Sequence, residues 1–192
     1  SDNLALRGAA RAAKEKQGAN RIVSSKLEHP AVTRTIEQLV RYEGFEVDWL
    51  EADEFGVIQP ESVARVISAK TAIVSVMYAN NEIGTINPIK EIAEICRAKN
   101  ILFHTDAVQA AAYLPVDVQA LGADMMSLGA HKFYGHNGVG ALYVRKGTPL
   151  ISHLTGGGQE FNLRAGTHNV PYIVGFAEAL RLTVDEREQR VA

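Results

Sequence analysis

Polar side chains follow three apolar, strand-like segments of this sequence, at the point where each segment ends. Ligands of open α/β sheets bind beyond the carboxyl ends of the strands, so these positions are candidates for a site. The segments are residues 71–78, 101–105 and 125–128, and the polar residues after them are Asn80, Asn81, Asp106, Gln109, His131 and Lys132. The pattern predicts one sheet edge that carries amides, a carboxylate, an imidazole and an amine.

Lys132 has the most distinctive chemistry of this group. A lone lysine is usually a solvated surface charge, but Lys132 follows a strand, a glycine and an alanine and precedes Phe133 and Tyr134. This setting predicts a turn held in packed surroundings. Desolvation there would disfavour the ammonium form and leave the amine free to form an imine with an aldehyde.

Asp106 and Gln109 lie at the next strand end. Asp106 could be a helix cap or a surface carboxylate, and Gln109 an ordinary exposed amide. A carboxylate directly after a buried strand is also what a pyridinium nitrogen requires, because the paired charge keeps the ring protonated and electron-withdrawing. Gln109, three residues later, could reach the same ligand.

His29 lies at another joint, between a predicted strand and a predicted helix. There it could cap or pack, which is the commoner use, or it could stack on a ring and transfer protons. The loop of residues 156–160 is rich in glycine but says little alone. Neither G-x-G-x-x-G after a strand nor G-x-x-x-x-G-K-[ST] occurs, so a dinucleotide or nucleoside-triphosphate site lacks its expected motif.

The elements that must position these residues alternate between strand and helix patterns. This alternation predicts βαβ units and a mostly parallel sheet, an α/β fold. We find no internal repeat or linker and expect one domain spanning residues 1–192. Strands are predicted at 21–25, 45–50, 71–78, 101–105, 125–128 and 139–144, and helices at 1–17, 30–42, 60–68, 89–99 and 166–186.

Composition narrows the classes of function. The 192 residues are 46% hydrophobic and 22% charged, as in a globular domain, and the net charge of −2 gives no basic face for nucleic acid or an anionic membrane. No apolar run approaches a membrane span and no signal peptide is recognisable, so we expect a cytoplasmic protein. The single cysteine, Cys96, excludes an internal disulfide and an all-cysteine metal site, and no metal is expected. Its helical setting favours a buried, inert thiol.

Six co-linear motifs, which together cover essentially the whole chain, resemble the NifS/IscS-type (group I) cysteine desulfurases. These belong to the class V aminotransferase family of fold-type I pyridoxal-phosphate (PLP) enzymes. The resemblance implies a three-layer αβα fold with a mostly parallel sheet, the large PLP-binding domain of aspartate aminotransferase-like enzymes. The motifs lie at 28–32, 80–85, 104–109, 130–135, 138–143 and 156–167.

The resemblance also implies residue roles. Lys132 would hold PLP covalently and later act as acid and base, while Asp106 would pair with the pyridine nitrogen. Gln109 and Asn81 would bind the ring's phenolic oxygen, and His29 would stack on the ring and shuttle protons. The phosphate would contact His131 and, from the neighbouring subunit, Thr167, which implies a homodimer with shared sites.

The implied reaction removes sulfur from L-cysteine, leaving L-alanine and an enzyme persulfide for a sulfur-acceptor protein in iron–sulfur cluster or thio-cofactor biosynthesis. In the family, the nucleophilic cysteine and the arginine for the substrate carboxylate lie beyond the last residue of this chain, and a Gly-x-Thr-Glu phosphate loop would precede Ser1. Cys96 does not match the nucleophile. We therefore expect a large domain incomplete at its front edge, without the smaller domain, and inactive alone.

Two segments depart from the family pattern. Gly129 replaces a serine that usually contacts the phosphate, and residues 134–138 read Tyr-Gly-His-Asn-Gly where Tyr-Gly-Pro-Lys-Gly is usual. Other readings remain open: a selenocysteine lyase, another class V lyase or aminotransferase, or a non-catalytic scaffold that kept the fold.

Overall fold

Six strands form one sheet in the computed structural model, which describes residues 1–191. The strands are β1 (Arg21–Ser25), β2 (Glu46–Leu50), β3 (Thr71–Ser75), β4 (Leu102–Asp106), β5 (Met125–Gly129) and β6 (Gly140–Val144). Their order across the sheet is β2-β1-β3-β4-β5-β6, and only β6 runs antiparallel to its neighbour. The carboxyl ends of the first five strands therefore lie along one edge.

Seven helices accompany the sheet within the described residues. They are α1 (Asp2–Gln17), α2 (Pro30–Glu43), α3 (Pro60–Val66), α4 (Ile89–Ala98), α5 (Val118–Leu121), α6 (Val170–Asp185) and α7 (Arg187–Val191). Short 3-10 turns occupy Ala110–Ala112, Ala130–Phe133 and Glu160–Asn162. Across residues 1–191, none of the helices combines the length and the apolar character that crossing a bilayer requires.

Alternate residues of the strands face two separate apolar cores. In β1, Ile22 packs with α1 and α2, whereas Val23 packs with α3 and α4. Successive side chains of a strand point to opposite faces, so a central strand covered by helices on both sides is buried on both faces. All five residues of β3 are buried, as this arrangement requires. The predicted α/β fold, with helices on both faces of a mostly parallel sheet, is confirmed.

The predicted elements are all present, with differences at their ends. β3 ends at Ser75 rather than residue 78, although the N–H groups of Val76 and Tyr78 still donate to β4 carbonyls at 3.2 and 2.9 Å. α6 begins at Val170 rather than residue 166, with Pro171 in its first turn. Pro is suited to a helix start and biases the residue before it away from a preceding helical turn.

Candidate active site

The topology brings the predicted residues to one edge of the sheet. β1 leads to β2 on one side, and the chain then returns to β3 on the other, so the strand order reverses between β1 and β3. Such a reversal opens a crevice beyond the carboxyl ends of the two strands. The joint that carries His29 follows β1, Asn81 follows β3, Asp106 ends β4 and the turn with Lys132 follows β5.

Asp106 is the buried acid of this edge. As the last residue of β4 it is only 3% exposed, and its Oδ1 accepts a hydrogen bond from the Val108 N–H at 2.9 Å. Burial, and then the negative charge of Asp2, raises the pKa of Asp106 to about 7. Among residues 1–191 no lysine or arginine forms a salt bridge with it. A buried carboxylate of this kind favours a cationic ligand.

Lys132 lies in the 3-10 turn that follows β5. Side chains three residues apart eclipse in a 3-10 turn, so Ala130 and Phe133 face the core together and leave His131 and Lys132 on the open side. Phe133 packs edge-on against Phe176, with ring centroids 5.2 Å apart. The prediction of a turn in packed surroundings is confirmed. The prediction that the Lys132 amine is desolvated is wrong, because this side chain is exposed.

His29 caps α2. Its Nδ1 accepts a hydrogen bond from the Ala31 N–H at 3.1 Å, and Pro30 occupies the first turn. The capping alternative is therefore confirmed, but the cap uses only one of the two ring nitrogens. Because Nδ1 is an acceptor, the proton of the neutral imidazole lies on Nε2. The exposed His29 ring keeps its Nε2–H available at the sheet edge.

Two neighbouring asparagines after β3 differ in their surroundings. Asn80 is 8% exposed, its Oδ1 accepts from the N–H groups of Glu82 and Ile83, and its Nδ2 donates to the Leu27 carbonyl at 2.7 Å. Asn80 thus organises its own loop, which leaves the exposed Asn81 as the amide for a ligand.

Gln109 is half-buried just before the Ala110–Ala112 turn. Its Oε1 is buried and has no hydrogen-bond partner among the described residues. A buried amide oxygen without a partner is costly unless a ligand or water supplies a donor. This orphaned atom, like the Asp106 carboxylate, lacks a partner that a polar ligand could supply.

The residues predicted to contact a phosphate lie on the open side. His131 and Thr167 are both exposed. Gly129 has an extended backbone, but a Cβ added there would lie 3.0 Å from Val108 Cγ1 and 3.3 Å from His131 Cε1. A Cβ at position 129 would therefore require the Val108 or His131 side chain to move by a few tenths of an ångström.

Sequence reasoning missed a buried polar group behind this edge. His104, fully buried in the middle of β4, places Nδ1 2.9 Å from Ser75 Oγ and Nε2 2.9 Å from Ser127 Oγ. Burial lowers the pKa of His104 to about 4, so the ring is neutral at pH 7. Asp2 Oδ1 lies 3.7 Å from Nε2. The position of His104 at the centre of a predicted strand was the sequence signal that could have indicated this buried group.

Glu28 was the second residue missed. It precedes His29, is only 7% exposed, and its Oε1 accepts the Met77 N–H at 2.7 Å. Burial, and then the charges of Asp106 and Asp2, raises the pKa of Glu28 well above its ordinary value. No local pattern distinguishes Glu28 from a surface glutamate, because the groups that bury it are distant in sequence.

Comparison with known proteins places this arrangement in a family. The model of the class-V aminotransferases matches residues 1–191, and the chain belongs to that family of PLP-dependent enzymes. It is 48% identical over 185 residues to the cysteine desulfurase IscS of Clostridium botulinum, covering 96% of this chain and 46% of the relative. Identity to IscS of Methanosarcina thermophila is 47%, covering 98% and 46%. The chain spans about half the length of these relatives.

Solved structures agree with this assignment. A NifS-like protein superposes with a TM-score of 0.92 at 39% identity, covering 98% of this chain and 52% of that one. DndA from Streptomyces lividans gives a TM-score of 0.92 at 39% identity, covering 98% and 54%. A structure titled SspA in complex with cysteine gives 0.87 at 38% identity, covering 94% and 52%. The resemblance predicted from the motifs is confirmed at the level of family and fold.

The residues at the edge fit the family's cofactor. Asp106 supplies a buried carboxylate without a cationic side chain beside it, and Gln109 supplies an orphaned acceptor. An exposed lysine and histidine complete the set on the open side. A pyridinium ring with a phenolic oxygen and an aldehyde satisfies each of these groups.

Proposed function

We propose that residues 1–192 form the cofactor-binding large domain of a PLP-dependent cysteine desulfurase, which converts L-cysteine to L-alanine and passes the sulfur to a cysteine thiolate as a persulfide. The observation that carries the proposal is Asp106, a nearly fully buried carboxyl without a cationic side chain beside it, at the strand edge that also presents Lys132. Support for the substrate comes from the relatives named cysteine desulfurase and from SspA, which was solved with cysteine.

Lys132 and Asp106 divide the main work between them. Lys132 would hold the cofactor through its amine and would then accept and return a proton at the substrate carbons. Asp106 stabilises a positive charge on the ring nitrogen, and its burial strengthens this pairing. When bound, the cofactor supplies an electron-withdrawing ring to the amino acid joined to it.

The other predicted residues orient the ring and the phosphate. His29 would stack on the ring and move protons through Nε2, while Gln109 and Asn81 would hold the phenolic oxygen. His131 contacts the phosphate, and Thr167 reaches the phosphate held by a second copy of the chain. This assignment makes the active enzyme a homodimer with shared sites.

Cys96 is not the sulfur acceptor. It is fully buried in α4, and burial raises the pKa of its thiol to about 12, so it remains protonated at neutral pH. It is also the only cysteine in these 192 residues. The thiolate that takes the sulfur in this proposal therefore comes from outside residues 1–192, which alone are inactive. We place the enzyme in the cytoplasm, where a sulfur-acceptor protein receives the persulfide.

Visible spectroscopy of the complete protein tests the proposal. Added PLP should produce an absorption band of lysine-bound cofactor, L-cysteine should shift that band, and alanine and sulfide should appear together in the presence of a reductant. L-selenocysteine and common amino acids serve as comparison substrates. A strong preference for selenocysteine, or transamination without sulfide, would replace the desulfurase assignment. Failure to bind PLP would favour the non-catalytic scaffold.

A further inference from the structure

Three buried carboxyl groups from different parts of the chain meet behind the candidate site. Asp2 comes from the start of α1, Glu28 from the joint between β1 and α2, and Asp106 from the end of β4. Their exposed fractions are 8%, 7% and 3%, and none forms a salt bridge with a lysine or arginine of the described residues. One positive charge on a bound ring can balance Asp106 but not all three.

Glu28 joins two loops of the site. Its Oε1 accepts the N–H of Met77, just beyond the end of β3, at 2.7 Å. In the opposite direction, Asn80 Nδ2 donates to the Leu27 carbonyl at 2.7 Å. These bonds continue the connection between β1 and β3 beyond the last strand pair, Ser24 and Ser75. They fix the joint that carries His29 against the loop that carries Asn81.

The surroundings of the second oxygen of Glu28 bear on its protonation state. Oε2 is buried and has no hydrogen-bond partner within residues 1–191. An ionised carboxylate in such surroundings would lack compensation, and the nearby charges of Asp106 and Asp2 oppose ionisation further. These surroundings therefore favour the neutral form of Glu28, while Oε1 accepts the N–H of Met77.

We propose that Glu28 is a positioning residue of the cofactor site: through its hydrogen bond to Met77, it holds the β1–α2 joint so that His29 lies over the cofactor ring. The inference rests on the proposed PLP site. It assigns to Glu28 no direct part in the chemistry. The helix cap made by Nδ1 fixes the His29 ring to the start of α2. The position of the ring therefore follows that of the joint, which Glu28 anchors.

The charge state can be tested by substitution at Glu28. Glu28→Gln preserves the shape and the acceptor for Met77 and is itself neutral, so it should keep PLP affinity and the circular dichroism of the bound cofactor close to those of the wild type. Glu28→Ala removes the anchor and should weaken PLP binding about tenfold, the usual scale for one lost buried hydrogen bond. Glu28→Asp is too short to reach Met77 and should resemble Glu28→Ala, which keeps the test available if the alanine variant does not fold.

Asp124→Ala is a matched control. Asp124 Oδ2 accepts the Phe103 N–H at 2.9 Å, which is the same kind of carboxyl-to-backbone bond at the opposite end of β4. This variant should lose stability as Glu28→Ala does, but its cofactor spectrum and PLP affinity should be those of the wild type. Equal effects of the two variants on the cofactor would mean that Glu28 is only structural.

A double-mutant cycle with His29 separates positioning from general destabilisation. If Glu28 acts through His29, Glu28→Ala should change the cofactor's circular dichroism in the wild-type background but add little to His29→Ala. Additive effects would overturn the inference, as would Glu28→Gln behaving like Glu28→Ala. A wild-type protein that does not bind PLP would instead refute the proposed function.

Discussion

The two halves of the candidate site differ in what holds them. The buried half comprises Glu28, His104 and Asp106, which are held by packing and side-chain hydrogen bonds within the chain, and the half-buried Gln109. The open half comprises His29, Asn81, His131, Lys132 and Thr167, all of which are exposed. The comparison shows that the fold alone provides a buried carboxyl group that favours a cation. The side chains proposed to do the chemistry are instead exposed.

Substitution of Lys132 should have the largest effect and leave the buried half intact. Lys132→Ala removes the amine that would attach the cofactor, so covalent PLP should be lost entirely. Turnover should fall by about 10²–10⁴-fold, as when a positioned proton-transfer group is removed. Because Lys132 is exposed, the melting temperature without cofactor should hardly change. Absorbance and calorimetry measure the two quantities.

Lys146→Ala provides the control for that experiment. Lys146 is also exposed and follows a strand, β6, but belongs to no motif of the site. Its loss should leave the cofactor band and turnover unchanged. A Lys132→Ala protein that keeps the same covalent band would contradict the division between the two halves.

Asp106→Asn changes the buried half and should lower turnover while raising the stability of the cofactor-free protein. The amide cannot keep a ring nitrogen protonated, so turnover should fall about 10²–10³-fold, the scale found when one preorganised electrostatic group is removed. The same change removes a buried charge that lacks a cationic partner. We expect the cofactor-free protein to become more stable at pH 8 by about 1–3 kcal/mol. Denaturant unfolding measures this gain, and a loss of stability would contradict it.

The stability of the cofactor-free protein should decrease as pH rises from about 6.5 to 8. The pKa of Asp106 is raised to about 7, so below that value the folded state holds a proton that the unfolded state has released. The free energy of unfolding therefore falls as the pH passes through the folded pKa, and Glu28, with its raised pKa, acts in the same direction.

His104 acts in the opposite sense but at lower pH. Its lowered pKa, about 4, makes stability rise between pH 4 and 6.5 and contributes nothing above that range. Unfolding at several pH values between 6.5 and 8 thus isolates the carboxyl groups. PLP should flatten the decline, because a protonated ring offsets the charge on Asp106. An unchanged or increasing stability in this range would refute the proposed electrostatics.

Gly129→Ser, at the position where the two halves meet, should have the smallest effect. The new Cβ would approach Val108 Cγ1 to 3.0 Å, a contact that a small side-chain movement can relieve. We expect the melting temperature to fall by about 1–4 °C, equivalent to about 1 kcal/mol or less in a domain of this size. Val108→Ala in the same chain should recover it, and a double variant as unstable as the single one would contradict the steric explanation.

The sequence permitted prediction of the features that depend on local pattern. The apolar run before Asp106 predicted a buried strand, and the structure confirms that strand at Leu102–Asp106. The alternation of strand and helix patterns likewise predicted a mostly parallel sheet. The assigned roles of Lys132, His29 and the other site residues stay predictions.

Features that depend on distant contacts or very short elements escaped prediction. The exposure of Lys132 follows from the 3-10 geometry of its turn, and the four-residue helix α5 is too short to show periodicity. Glu28 and His104 gain their burial from strands and helices far along the chain. Local sequence patterns carry no record of such contacts.

Covalent mapping of the cofactor tests the central claim most directly. The complete protein would be loaded with PLP, reduced with borohydride, digested and analysed by mass spectrometry. The account predicts a stable pyridoxyl adduct on Lys132. Lys26 is the sharpest internal comparison, because it is also exposed at this edge, directly after β1. An adduct on Lys26 or another lysine, or no adduct at all, would contradict the account.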